Sequence, residues 1–248
     1  KHKQGAIAWK ALNQNSRFLM DLEGEMESDG NIAYKVTLVA REDASVEDVA
    51  LRTHLASGVG RYMMGLGEKG GYCPNDLRWK WDVEKNQDAV WVGDVNAGIQ
   101  IRLYDNKYER PLNTNFYHQK PLHMPVSWCN AGNGGIDIHN AADGTRINAY
   151  SGKRSVKKGD RLYYYFNLAL TPFRPIDTDK QWRERYHHNY EFLDGIQKRG
   201  ANVINIHHAN AINPFINYPF LRTKEMKAYI DGAHARDMKV KIYNTVRE

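Results

Sequence analysis

Apolar and polar positions alternate with a period of two up to about residue 170. Ile32, Tyr34, Val36 and Leu38 alternate with Ala33, Lys35, Thr37 and Val39 behind the turn signal Asp29-Gly30-Asn31. Val49, Leu51, Thr53 and Leu55 repeat the pattern. So do Ile99, Ile101 and Leu103 against Gln100, Arg102 and Tyr104, and Ile136 and Ile138 against Asp137 and His139. Ala89–Val92 is a short apolar run around Trp91, and Tyr163–Leu170 closes the series. Short alternating runs separated by Gly-, Asn- and Asp-rich turns, with no long helical pattern, predict an antiparallel β-sandwich.

The period changes across Thr171-Pro-Phe-Arg-Pro-Ile-Asp177, where paired prolines enforce an extended connector. Beyond it, Phe192, Leu193 and Ile196 mark a short helix, and Gly200 stands where a helix end favours a left-handed residue. Val203, Ile204 and Ile206 predict a buried strand, and Pro214 and Pro219 keep the following loop from becoming helix. Thr223 is placed to cap a helix whose Met226, Tyr229, Ile230 and Ala233 recur at helical spacing. A second strand is expected from Lys239 to about Val246. Strand, loop, helix and strand make one parallel βαβ unit. The expected fold is multi-domain, β plus α/β. A sandwich spans 1–172, a Pro-containing linker 173–178, and the first βα units of a (β/α)8 TIM-type barrel 179–248. That barrel is incomplete in this chain, since two strands do not close a ring of eight.

The candidate chemistry lies in the second part. Strand side chains alternate, so Asn205 and His207 share one face while Ile204 and Ile206 take the other. His207 is expected to point toward the barrel axis and His208 away from it, with a satisfied buried histidine the competing role for His207. Asn210 and Asn213 offer amides in the loop, with turn formation the competing role. Tyr243, Thr245 and Arg247 are expected on the polar face of the second strand, with Glu248 beside them. His207, Asn210, Tyr243, Arg247 and Glu248 are the expected substrate-binding residues, because imidazole, amide, phenol, guanidinium and carboxylate bracket hydroxyl groups with directional bonds. For Arg247 and Glu248 a structural ion pair is the competing role. The pair His187-His188 is assigned to an interface. No catalytic residue and no metal ligand is assigned, since adjacent strand histidines diverge and no third ligand is in place.

Composition narrows the classes. A formal charge of +6 is spread among 29 acids instead of forming a patch, so a nucleic-acid partner is not expected. No run approaches the roughly 18 apolar residues of a membrane span. The two cysteines, Cys73 and Cys129, have neither metal-site spacing nor an obvious partner, and either pair or stay free. Gly65-Leu-Gly-Glu-Lys-Gly-Gly71 superficially looks like a phosphate loop but lacks the closing Lys-Ser/Thr, and reads better as a glycine-rich β connection. Trp79, Trp81 and Trp128 are either sugar-stacking surfaces or core residues.

Several stretches carry a family resemblance: Met64-Gly-Leu-Gly-Glu-Lys-Gly-Gly71, Ala89-Val-Trp-Val-Gly-Asp94, Leu170-Thr-Pro-Phe173, Asn202-Val-Ile-Asn-Ile-His-His-Ala-Asn210, Asn213-Pro-Phe-Ile-Asn-Tyr-Pro-Phe220 and Lys241-Ile-Tyr-Asn-Thr-Val-Arg-Glu248. In these the chain resembles the glycoside hydrolase family 123 group, from Arg61 onward more closely than before it. The resemblance implies a sandwich joined to a catalytic barrel and exo-acting β-N-acetylhexosaminidase chemistry. In that chemistry the substrate's acetamido oxygen is the nucleophile, and an adjacent Asp-Glu pair orients it and serves as general acid/base. No Asp-Glu dipeptide occurs in the 248 residues, so that pair is not carried over and the chain alone is expected to be inactive. A non-catalytic carbohydrate-binding or scaffolding protein of the same architecture is the alternative. Either reading implies a glycan partner, the remainder of the barrel as a further partner, no cofactor, and a secreted, periplasmic or cell-surface location.

Overall fold

The computed structural model describes residues 2–3, 5–82, 87–108, 123–172, 174 and 177–245, with the backbone alone for His2 and Lys3. Two compact units result, Lys1–Ile176 and Asp177–Glu248.

Among the described residues the first unit is antiparallel throughout, with two large sheets and a two-stranded one that pairs Ala44–Val46 with Arg154–Val156. Its larger sheet has nine strands, in the order His2–Lys3, Ala6–Gln14, Phe18–Glu27, Asn31–Ala40, Arg161–Thr171, Ala97–Tyr104, Ala89–Asp94, Tyr62–Gly65 and Glu68–Tyr72. The smaller sheet has four: Ala50–Ala56, Gly144–Tyr150, Gly135–Ala141 and Asp76–Lys80. Register explains the core. Val90 pairs with Ile101 and Val92 with Ile99, while in the other sheet Ile138 pairs with Ile147 and Ile136 with Ala149. Each set shares a face, and the two faces form one buried cluster with Trp79, Trp81, Trp128 and Tyr164. This is the expected sandwich.

The tryptophan alternatives resolve toward packing. Trp79 and Trp81 meet edge to face at 4.9 Å inside the core. Trp128, on the short helix Val126–Cys129, packs edge-on against Tyr164 and donates from Nε1 to the Tyr165 carbonyl at 3.0 Å. None of the three is available to stack on a sugar. The glycine-rich stretch is a β connection: Leu66 and Gly67, at φ 55° and 78°, turn one strand back on the next, the backbone twist that tight hairpins require. Both thiols, Cys73 and Cys129, are free.

The second unit is a parallel sheet of three strands, Tyr186–His187, Val203–Ile206 and Lys239–Ile242, with helices Thr178–Arg183, Leu193–Lys198 and Thr223–His234. Ile204, Ile206, Val240 and Ile242 pack with Ile196, Met226, Ala233 and Met238 in one apolar cluster. Gly200 closes the second helix at φ 79°.

Three expectations need correction. The sheet has a further strand, Tyr186–His187, paired with Val203 and Ile204; two residues are too few to show a period. The last strand ends at Ile242, not near Val246. Tyr243 N–H still donates to the Ile206 carbonyl at 2.9 Å, but Thr245 bonds the Asn217 side chain instead of a neighbouring strand. Thr223 is the first residue of its helix, not its cap; Arg222 holds the cap position without a side-chain bond.

Removing the Trp128 ring leaves a cavity and removes the indole's bond to the Tyr165 carbonyl. Trp128→Ala is expected to cost about 3–5 kcal/mol of unfolding free energy, measured by urea denaturation. A loss below about 1 kcal/mol would place the ring outside the core.

Candidate functional site

Three parallel strands end on the same edge of a sheet, and the residues directly after them converge. Val203 is level with both Tyr186 and Lys239, and Ile206 with Ile242. Counting on, His188 comes level with Asn205, and His207 with Tyr243. Residues level with one another in a parallel pair face the same way. The face opposite the helices therefore gathers His188, Asn205, His207 and Tyr243, with Lys241 level with Asn205.

The side chains meet accordingly. The His207 and Tyr243 rings stack at 4.5 Å with 10° between their planes, and His188 lies 6.2 Å from His207. Asn205 is only 5% exposed. Its Nδ2 lies 3.3 Å from His188 Nδ1 and 3.4 Å from His207 Nε2. An amide NH2 only donates, so the facing ring nitrogens accept. In the neutral rings the protons then sit on His188 Nε2 and His207 Nδ1. Asn205 Oδ1 has no hydrogen-bond partner among the described residues. A buried acceptor left unmet costs about 1–3 kcal/mol. The cluster thus holds an acceptor in want of a donor, two imidazoles with N–H groups free to donate, and a phenol.

The expected site residues fare differently. His207 and Tyr243 are at the centre of the cluster. Asn210 is not: its Nδ2 donates to the His207 carbonyl at 2.7 Å, and its Oδ1 accepts from the backbone of Ile212 at 3.0 Å and Asn213 at 2.9 Å. Its amide closes the loop, the turn-forming role for which a short amide side chain is suited. Asn213 is buried and also donates to the His207 carbonyl, at 3.1 Å. His208 is exposed. Arg247 and Glu248 lie outside the described residues. Sequence reasoning missed His188, set aside as an interface residue, and Lys241. The signal for His188 was available only through register, which the unnoticed strand Tyr186–His187 supplies; Lys241, two residues before Tyr243 on the expected strand, was legible from alternation.

Among the described residues no three His, Cys, Asp or Glu side chains stand close enough to hold a metal ion. The sandwich carries a groove of about 480 Å³ lined by Tyr62, Met64, Trp91, Val95, Thr171 and others. It is almost wholly apolar and gathers no convergent set of polar groups, so it is a weaker candidate than the strand-end cluster.

Comparison with known families gives two matches. Residues 1–172 match the model described as glycoside hydrolase 123, third domain, and residues 177–248 that described as glycoside hydrolase 123, TIM-barrel domain. Comparison with curated proteins gives no match. Among solved structures, a galactose mutarotase related enzyme from Lactobacillus acidophilus is similar with a TM-score of 0.40 and 9% identity, covering 71% of each chain. The α-N-acetylgalactosaminidase NagBb from Bifidobacterium bifidum, in complex with Gal-NHAc-DNJ, is similar with a TM-score of 0.36 and 11% identity over 96% of this chain and 50% of that one. A heparan sulfate lyase HepC mutant from Pedobacter heparinus gives 0.31 and 6% over 66% and 21%. The chain spans about half the length of the bifidobacterial enzyme. These structural likenesses are too distant to bear on activity.

An unmet buried acceptor is a liability for folding. Asn205→Leu is therefore expected to leave thermal stability within about 1 kcal/mol of the parent, or to raise it. Asn210→Ala is expected to do the reverse locally, with faster amide exchange at Ile212 and Asn213. If Asn205→Leu instead unfolds the second unit, the amide is structural.

Proposed function

The chain belongs to glycoside hydrolase family 123, and on that premise we propose that it supplies the third domain and the opening barrel strands of an enzyme that hydrolyses β-N-acetylhexosaminides, with His188, Asn205, His207 and Tyr243 facing the sugar. The observation that carries this reading is the convergence of those four side chains past the C-terminal ends of parallel strands, where barrels of this type gather their ligand contacts. In this reading the three strands described form one side of the site and further barrel strands form the rest.

In the proposed reaction the substrate's acetamido oxygen attacks the anomeric carbon. A carboxylate orients the acetamide while a second acid protonates the departing oxygen, and that second group then takes a proton from the incoming water. The chain contains no Asp-Glu dipeptide, and we assign both carboxylates to the strands that complete the barrel. The residues present here bind and orient. Asn205 Nδ2, facing both His188 Nδ1 and His207 Nε2, holds the two imidazoles in place. His188 Nε2–H and His207 Nδ1–H are free to donate to ring oxygens or hydroxyls. Tyr243 fixes the His207 plane by stacking, so the imidazole is oriented before the ligand arrives. Holding donors in place beforehand spares the ordering cost at binding.

The test is hydrolysis of an aryl β-N-acetylgalactosaminide by the whole protein and by this chain. The whole protein is expected to turn over, and the 248-residue chain to match a buffer blank. His207→Ala and Asn205→Ala in the whole protein are expected to lower kcat/KM roughly tenfold to a hundredfold with little change in melting temperature. Wild-type kcat/KM in both variants, or turnover by the 248-residue chain, would overturn the reading. Sugar binding without turnover by the whole protein would favour a non-catalytic carbohydrate-binding protein.

A further inference from the structure

The loop that follows the central strand of the second unit, residues 207–222, is held rigidly while exposing aromatic rings. Its internal bonds begin at the site: the His207 carbonyl accepts from both Asn210 and Asn213, Asn210 Oδ1 collects two backbone N–H groups, and Ala209 N–H donates to the Pro214 carbonyl at 3.2 Å. Farther along, Asn217 exchanges two bonds with Thr245: its Nδ2 donates to the Thr245 carbonyl at 2.6 Å and its Oδ1 accepts the Thr245 N–H at 2.8 Å. Thr245 stands two residues past Tyr243, so both the root and the middle of the loop are tied to the His207–Tyr243 stack.

Against that bracing, Phe215, Tyr218, Phe220 and Leu221 are 61%, 53%, 66% and 53% exposed, and Tyr218 meets Phe220 edge to face at 5.5 Å. Four large apolar side chains within seven residues are more than the scattered exposure a surface loop normally shows. The stretch from His207 to Arg222 contains no carboxylate, and its only formal charge is Arg222 at the end. A surface of rings and amides without charge suits an uncharged ligand with flat apolar faces and hydroxyl edges, which describes a pyranose.

We infer that Phe215, Tyr218 and Phe220 form an aromatic platform for a second, neutral sugar ring, the one attached to the N-acetylhexosamine held at the strand ends. This rests on the functional reading above, because it takes the strand-end cluster as the place of the terminal sugar. Bracing by Asn210, Asn213 and Asn217 keeps the rings presented in the absence of ligand.

Calorimetric titration of the whole protein with two probes tests it: free N-acetylgalactosamine, and a disaccharide of N-acetylgalactosamine β-linked to galactose. In the parent the disaccharide is expected to bind more tightly. Phe215→Ala, Tyr218→Ala and Phe220→Ala, whose exposed rings leave folding intact, are expected to lower disaccharide affinity by about three- to tenfold and monosaccharide affinity by less than about twofold on the same basis. Equal losses for both probes, or unchanged disaccharide binding in variants that melt like the parent, would overturn the platform. His207→Ala separates the two proposals. If it leaves monosaccharide binding intact while the loop variants still lose the disaccharide, the strand-end reading fails and the platform stands. If neither probe binds the parent protein, both fail.

Discussion

The in-register parallel pairing of Val203–Ile206 with its two neighbouring strands is the constraint on which the second unit depends. Side chains on a strand alternate between faces, so a slip of one residue would exchange the contents of the two. Ile204 and Ile206 would then leave the helix layer and Asn205 and His207 would enter it. The apolar cluster formed with Ile196, Met226, Ala233 and Met238 selects against that slip, because burying an unpaired amide and an imidazole among those residues is costly. Packing on one face thereby sets the chemistry on the other, and the polar residues need contribute nothing to folding in order to be well placed.

How much of this was legible in the sequence follows from the same physics. Sandwich strands such as Asn31–Ala40, Ala97–Tyr104 and Arg161–Thr171 were readable because each is long enough to show a period of two, whereas Ala6–Gln14, Phe18–Glu27, Gly144–Tyr150 and the two- and three-residue strands were not read. The alternation of Ile204 and Ile206 against Asn205 and His207 was readable for the same reason. Tyr186–His187 was not, since a two-residue strand has no period and exists through its bonds to Val203 and Ile204. Missing it hid His188, whose place in the cluster follows from register alone. Asn210 was left between ligand contact and turn formation, and its bonds are those of a turn. Nothing in the sequence tells whether a loop amide is spent on its own backbone or offered to a ligand, and here both ends of it are spent. Trp79, Trp81 and Trp128 show a similar ambiguity, since an indole that can cover a sugar can equally fill a core, and burial decides.

The chain divides its work between two kinds of polar group. Asn210 and Asn217 spend both ends of their amides on holding a loop, whereas Asn205 and Asn213 each keep a buried carbonyl oxygen unpaired among the described residues. A folded protein tolerates few such groups. That one of them stands between two histidines at the open end of a parallel sheet is the best local reason to look there for a ligand.

The most direct test of that claim is nitrogen-detected NMR of the histidine rings while N-acetylgalactosamine is titrated into the whole protein. The account predicts that the ring signals of His188 and His207 move together along one binding curve while those of His54 and His139, in the sandwich, stay in place. Sugar binding that leaves His188 and His207 unmoved, or that shifts only His54 or His139, would contradict it.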